Sequence, residues 1–217
     1  MNQSQSLRIT EVFHSLQGEA RTSGVPTVFV RLTGCPLRCH YCDSAYAFHG
    51  GERRLFSELL EEIAAYQADY VCVTGGEPLA QPEVLPLMSA LCDAGYKVSL
   101  ETSGALDIAL VDERVSIVMD LKTPASGELD RNLYANLEHI KPKDQLKFVI
   151  CDRNDYEWSR FKLDEYNLNS KTPDIWFSPS FGQVEGRELA EWILADRLKV
   201  RLQLQLHKQL WGDKPGV

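Results

Sequence analysis

The chain has no surplus of positive charge, no long apolar run and no low-complexity block. Its 23 Lys and Arg are outnumbered by 31 Asp and Glu, giving a net charge of −8. A general nucleic-acid binder needs a basic face to neutralise phosphates, so that class is not expected. No apolar stretch approaches the roughly 20 residues of a membrane-spanning helix. The early segment RITEVFHSLQGEA carries charges and lacks the apolar run of a secretory signal. A soluble, cytoplasmic protein is expected. No repeat or linker divides the 217 residues, 44% of them hydrophobic, so one domain over 1–217 is read. Cysteine is also scarce, with six residues: Cys35, Cys39, Cys42, Cys72, Cys92 and Cys151. A chain this long and rich in ordinary core residues needs no disulfide framework, which argues for metal-binding or catalytic thiols. Cys72, Cys92 and Cys151 sit inside apolar strand-like or helix-like runs and read as small packing residues.

What is present is an alternation of short β-branched runs with longer amphipathic ones. Strands are expected at 27–34, 70–76, 97–104, 115–122, 145–150, 174–180 and 200–207. Helices are expected at 55–66, 82–95, 131–139, 153–166 and 186–196. Strand and helix in alternation mean a parallel sheet covered by helices, with sequential strands side by side. Six or seven such units are too few for an eight-fold barrel. The expected architecture is an α/β incomplete barrel of the TIM type, with a doubly wound open sheet as the alternative. In either fold, ligands gather at the carboxyl ends of the strands. Small and polar motifs follow those ends: GCPLRCHYCDS, TGGEP, ETSG, DLKTP and SPSFG.

The first of these motifs holds Cys35, Cys39 and Cys42 in C-x3-C-x2-C spacing. A structural zinc site would take four ligands, usually as two separated pairs, and neither His40 nor His49 completes such a module. A C-x2-C redox pair would leave Cys35 idle. A four-iron cluster normally takes four cysteines, so three leave one iron open to a small molecule. The motif, with Tyr41 just before its third cysteine, resembles the signature of radical S-adenosylmethionine enzymes. That resemblance implies a [4Fe-4S] cluster whose open iron chelates S-adenosylmethionine. Reductive cleavage then forms a 5′-deoxyadenosyl radical, which removes a hydrogen atom from substrate. The cofactor carries the chemistry and the protein positions it. TGGEP (74–78) resembles the same superfamily's second-strand motif, where glycine permits close approach of backbone to ligand.

Further stretches resemble one family within it, the 7-carboxy-7-deazaguanine synthases of the queuosine and deazapurine pathway, which supplies a tRNA modification precursor. They are HSLQGEA (14–20), Arg31 in FVRLTGC, Asp43-Ser44, ETSG (101–104) and LQLHKQLWG (204–212). The resemblance implies a lyase. It contracts 6-carboxy-5,6,7,8-tetrahydropterin to 7-carboxy-7-deazaguanine with loss of ammonia, regenerates S-adenosylmethionine and needs Mg²⁺. It places Leu16, Gln17, Gly18, Arg31 and Thr74 against substrate. A guanidinium at Arg31 suits the substrate carboxylate, and the Gln17 amide a pterin edge. Tyr41, Cys42, Asp43, Gly76, Asp120, Leu121, Lys122, Ser178, Pro179, Ser180 and Phe181 match segments that hold S-adenosylmethionine.

Ser44 matches the magnesium position. One hydroxyl is too little for an ion that wants six oxygens, so the substrate must supply others. Glu101 could accept from pterin N–H groups or hold a ribose, and it is the candidate catalytic carboxylate. Glu19 could also reach substrate, while His207 and Lys208 could close the pocket from the last strand. Flavodoxin or ferredoxin is the implied reductant, with Arg31, Arg38, Arg53 and Arg54 as a candidate basic patch for it. A homodimer is implied as well. Two alternatives remain: an activase that places a glycyl radical on a partner protein, whose cluster motif is similar, and a non-catalytic metal-binding module.

Overall fold

The computed structural model describes residues 5–212, 214 and 216. Its strands are β1 (Ser6–Leu16), β2 (Pro26–Leu32), β3 (Glu52–Leu55), β4 (Tyr70–Gly75), β5 (Lys97–Thr102), β6 (Ser116–Asp120), β7 (Gln145–Ile150), β8 (Ile175–Pro179) and β9 (Arg201–Leu202). The helices are α1 (Phe56–Ala65), α2 (Val84–Asp93), α3 (Arg153–Glu165), α4 (Leu168–Lys171), α5 (Gly186–Ala195) and α6 (Leu206–Trp211). Among the described residues all nine strands form one sheet, in the order β3-β1-β2-β4-β5-β6-β7-β8-β9. From β2 through β9 every neighbouring pair is parallel, while β1 runs antiparallel to both β2 and β3. The result is the expected incomplete barrel, with sequential strands side by side from β4 onward.

The two faces of this sheet differ, because side chains alternate along a strand. Val28, Val30, Leu32, Val71, Val73, Val98 and Leu100 pack on Phe56, Leu59 and Ile63 of α1 and Leu87, Met88 and Leu91 of α2. Further along, Ile117, Met119, Leu146, Phe148, Ile150, Ile175 and Phe177 pack on Tyr156 and Leu163 of α3 and Leu189 and Ile193 of α5. Each fully buried side chain of this kind contributes roughly 1.5–3 kcal/mol. The opposite positions carry Arg31, Thr74, Glu101, Asp120, Lys147 and Ser178, which line the interior. The apolar core lies between sheet and helices, and the inside of the barrel is polar.

A hairpin loop, residues 17–25, bridges the open side. Ala20 stands in the left-handed region at φ +62. Its N–H donates to Gln203 Oε1 (2.8 Å) and its carbonyl accepts from Gln203 Nε2 (3.1 Å). The Arg21 guanidinium reaches Asp174 Oδ2 (2.6 Å) at the start of β8. The first hairpin is thereby clasped to the last strands.

Three expectations need correction. The segments β1 and β3 were not anticipated as strands: β1 is only half buried, and β3 is Glu-Arg-Arg-Leu, an edge strand formed by pairing with β1. The helix expected at 131–139 is two short 3₁₀ turns, Leu129–Arg131 and Tyr134–Glu138. Tertiary hydrogen bonds take this segment over: Leu133 N–H donates to Gly104 O, and the Asn136 amide donates to Gly104 O and Leu106 O. The strand expected at 200–207 stops after Leu202. Gln203 turns its amide to Ala20 and Leu206 N–H donates to Gly18 O (3.0 Å), after which the chain winds into α6.

Candidate active site

The carboxyl ends of the parallel strands open on a cavity of about 700 Å³, within the range of small-molecule and cofactor sites. The cysteine loop forms its upper wall, and Cys35, Cys39 and Cys42 all line it. The loop is held from both sides: Gly34 N–H donates to Ala47 O (2.8 Å), Glu77 N–H to Gly34 O (2.9 Å) and His40 N–H to Ser126 O (3.0 Å). Burial pushes all three thiols up, Cys39 to about 11. A thiolate forms here when a metal takes the place of the proton. Among the described residues no three His, Cys, Asp or Glu side chains converge on a single-ion site.

Two further features fit a bound cofactor. A Cβ added at Gly76 would lie 2.2 Å from Gly34 O and 2.7 Å from Cys35 Cβ, so β4 delivers bare backbone against the cluster loop. Among the described residues, the buried Tyr41 Oη and Ser178 Oγ have no hydrogen-bond partner, and both residues line the cavity. Such oxygens call for a polar partner. Beside them the buried Lys122 Nζ pairs with Asp120 Oδ2 at 2.7 Å and lies 5.9 Å from the Tyr41 ring centroid. Burial opposes both charges of that pair, yet Asp120 is held below and Lys122 above its ordinary range, Lys147 assisting on Asp120.

The lower wall is built from the first hairpin and β5. Gln17 Nε2 donates to Glu101 Oε1 (3.2 Å) and Thr74 Oγ1 donates to Glu101 Oε2 (2.9 Å). The Arg31 guanidinium lies near the rings of Phe13 (5.9 Å) and Tyr46 (5.7 Å), and its Nε donates to Glu11 Oε1 (2.6 Å). Its NH1 stands 3.4 Å from Ser44 Oγ, which donates to Asp43 Oδ1 (2.9 Å). Gln205 Nε2, just before α6, reaches Glu19 Oε1 (2.7 Å) and Asp43 Oδ2 (3.3 Å).

The structure brings to this cavity Leu16, Gln17, Gly18, Arg31, Thr74, Glu101, the three cysteines, Tyr41, Asp43, Ser44, Gly76, Asp120, Lys122 and the segment 178–181. Leu121 is the exception: it is only 3% exposed, packs in the core and does not line the cavity. Of the arginines proposed as a surface patch, Arg31 faces the cavity, and Arg54 is neutralised by Glu58 and Glu62. His207 and Lys208 line the cavity from a helix rather than a strand. Glu11, Lys147 and Gln205 were missed. Lys147 was legible in principle, since QLKFVI alternates and puts it opposite the apolar face. Glu11 had no local signal, while Gln205 lay inside the stretch LQLHKQLWG (204–212) without a role of its own.

One consequence is testable. A Cβ on Gly18 would lie 2.1 Å from His207 Nδ1, so Gly18→Ala should displace the His207 side chain at the cavity wall. A rise in KM for the small-molecule substrate of roughly tenfold is expected, with cluster content unchanged. An unchanged KM would show that the His207 side chain plays no part in binding.

An incomplete barrel with C-x3-C-x2-C at the end of its first parallel strand defines a radical S-adenosylmethionine protein. A family model described as "Radical SAM superfamily" matches residues 29–162. A curated 7-carboxy-7-deazaguanine synthase of Koribacter versatilis is 42% identical over 219 residues, covering 94% of this chain and 97% of that protein. The one of Chlorobaculum tepidum is 43% identical, covering 97% of each. The chain belongs to the 7-carboxy-7-deazaguanine synthase family of radical S-adenosylmethionine proteins. A crystal structure of QueE from Escherichia coli superposes with a TM-score of 0.77 at 25% identity, covering 93% of this chain and 95% of that one. Membership in the superfamily implies a [4Fe-4S] cluster and S-adenosylmethionine. Among the described residues no helix is long and apolar enough to cross a membrane.

Proposed function

We propose that this chain, acting as one radical S-adenosylmethionine core over 1–217, contracts 6-carboxy-5,6,7,8-tetrahydropterin to 7-carboxy-7-deazaguanine with loss of ammonia. One observation carries the reading: the cysteine loop, Arg31, Gln17 and Glu101 line a single cavity of about 700 Å³, beside which the 17–25 loop is tied to Gln203 and Leu206. A cavity of this volume, lined by a guanidinium, an amide and a carboxylate, suits a small polar molecule, which speaks against the glycyl-radical activase.

When bound, the cluster and S-adenosylmethionine supply the radical that removes hydrogen from substrate. Cys35, Cys39 and Cys42 would hold the cluster. The backbone at Gly76, Tyr41-Cys42-Asp43, the Asp120–Lys122 pair and the segment 178–181 would hold S-adenosylmethionine. Arg31, braced by Glu11 and two rings, presents a planar fork to the substrate carboxylate. Gln17, Thr74 and Glu101 form one hydrogen-bonded set, in which a carboxylate keeps acceptor capacity for pterin N–H groups. Glu19 adds a second carboxylate at the floor.

Ser44 supplies a magnesium oxygen in this reading. One hydroxyl, with Asp43 beside it, falls short of six oxygens, so the substrate would supply others. By the family resemblance, electrons come from a flavodoxin or ferredoxin and the chain pairs as a homodimer.

The test is anaerobic. The cluster is reconstituted and S-adenosylmethionine, dithionite, magnesium and 6-carboxytetrahydropterin are added. 7-Carboxy-7-deazaguanine is then followed by mass spectrometry. Reductive cleavage of S-adenosylmethionine without that product would sink the pterin assignment and put the activase ahead.

A further inference from the structure

An alternating row of charges crosses the interior: Glu19, Lys147, Asp120 and Lys122. Lys147 Nζ donates to Glu19 Oε2, and those side chains are only 15% and 14% exposed. Lys147 and Asp120 are register partners on β7 and β6, so the sheet itself sets their spacing. At the far end Lys122 pairs with Asp120. All four line the cavity. Burial acts to strip the Lys147 proton, but Glu19, Asp120 and Glu101 outweigh it and hold the ammonium above the usual lysine range.

A buried pair of this kind adds little net stability, because both ions lose their hydration. Its presence therefore calls for another reason, and the supports of its two members supply one. Lys147 stands on a central strand flanked by β6 and β8. Glu19 stands on the 17–25 loop, where backbone position alone leaves a carboxylate several rotamers. Sites are most accurate when loop side chains are locked by groups on rigid elements. Lys147 takes one Glu19 oxygen and Gln205 Nε2 takes the other, at 2.7 Å. Asp120 has a second partner in Lys122, 2.7 Å away. Loss of Lys147 should therefore disturb the floor and spare the S-adenosylmethionine side.

We propose that Lys147 is a positioning residue for the substrate, holding the Glu19 carboxylate at the cavity floor where the pterin ring must lie. The proposal rests on the pterin reading above. Its test uses 6-carboxypterin, an intrinsically fluorescent oxidised analogue. The analogue is titrated anaerobically into cluster-loaded protein with S-adenosylmethionine and magnesium but no reductant. Lys147→Met is expected to weaken its binding about tenfold. Lys147→Arg should restore most of the affinity. Glu19→Gln should weaken binding by a similar factor, and the double variant should be no weaker than either single one. Cluster absorbance and S-adenosylmethionine affinity of Lys147→Met should match wild type.

Unchanged analogue binding in Lys147→Met overturns the proposal. So do additive losses in the double variant, which would give Lys147 a contact of its own. Loss of the cluster or of S-adenosylmethionine binding in Lys147→Met overturns it in favour of a structural role. Failure of wild type to bind the analogue removes the pterin reading, and this inference falls with it.

Discussion

A Cys39→Ala variant should yield a folded protein with little iron and no measurable product, a loss on the order of a thousandfold or more. Each thiolate of C-x3-C-x2-C serves a different iron, so two thiolates hold an incomplete set. No other cysteine can substitute. Cys72 and Cys151 are buried, and neither they nor Cys92 line the cavity. Burial raises the Cys72 thiol well above its ordinary value, as it does that of Cys151. Both are poor sources of thiolate. The loop around Cys39 carries little of the core, so far-UV circular dichroism should not change. The check is iron and acid-labile sulfide per chain after anaerobic reconstitution, together with product by mass spectrometry. Wild-type iron and wild-type turnover in this variant would remove the cluster from Cys39.

Glu77→Ala should produce the second large effect, this time on stability. Glu77 is completely buried, and its carboxylate is held by hydrogen-bond donors. It accepts from Thr102 Oγ1 (2.9 Å), Ser103 N–H (2.7 Å), Ser103 Oγ (2.5 Å) and Leu79 N–H (3.0 Å). Truncation strands several buried donors at once, each costing about 1–3 kcal/mol when unmet. The variant also sheds the desolvation cost of the carboxylate itself, which trims the loss. A net destabilisation of about 2–4 kcal/mol is expected, lowering Tm by roughly 5–15 °C for a chain of this length. Glu77→Gln keeps one acceptor oxygen and should lose less. The knot also has a functional reach, because Glu77 N–H donates to Gly34 O at the start of the cluster loop. Cluster occupancy should fall with stability in Glu77→Ala. Thermal unfolding followed by circular dichroism under anaerobic conditions decides it, and a Tm within a degree or two of wild type would refute the knot.

Glu77 also shows how the chain's motifs divide between chemistry and support. In the sequence, TGGEP reads as one ligand-binding unit. In the fold, Gly76 faces the cofactor space while Glu77 turns away and ties β4 to the end of β5. Asp155 does the same on the other side, accepting from Thr123 Oγ1, Ala125 N–H and Cys151 N–H. The turn it holds supplies Ser126 O, the acceptor for His40 N–H of the cluster loop. Such carboxylates leave no periodic trace, because their partners lie on other strands.

Much of the site was nonetheless legible. Alternating strands and helices, polar motifs at the strand ends and the cysteine spacing are local patterns. They imply a parallel sheet with its ligands at one rim, because strand alternation and the chirality of crossover connections leave few other arrangements. Strand β1 and the C-terminal segment were harder. β1 is half buried, so its alternation is faint, and its partners, β2 and β3, are set by long-range pairing. At 200–207 the β-like alternation of VRLQLQLH was overridden by two contacts with the first hairpin, Gln203 with Ala20 and Leu206 with Gly18.

The sequence by itself determined the class of fold, the three thiols and the rim on which ligands gather, because each depends on residues close together along the chain. Tertiary structure alone decided how the barrel closes, which carboxylates brace the site and where Lys147 stands. Those depend on contacts such as Lys147 with Glu19, 128 residues apart, whose geometry exists only once the sheet has assembled.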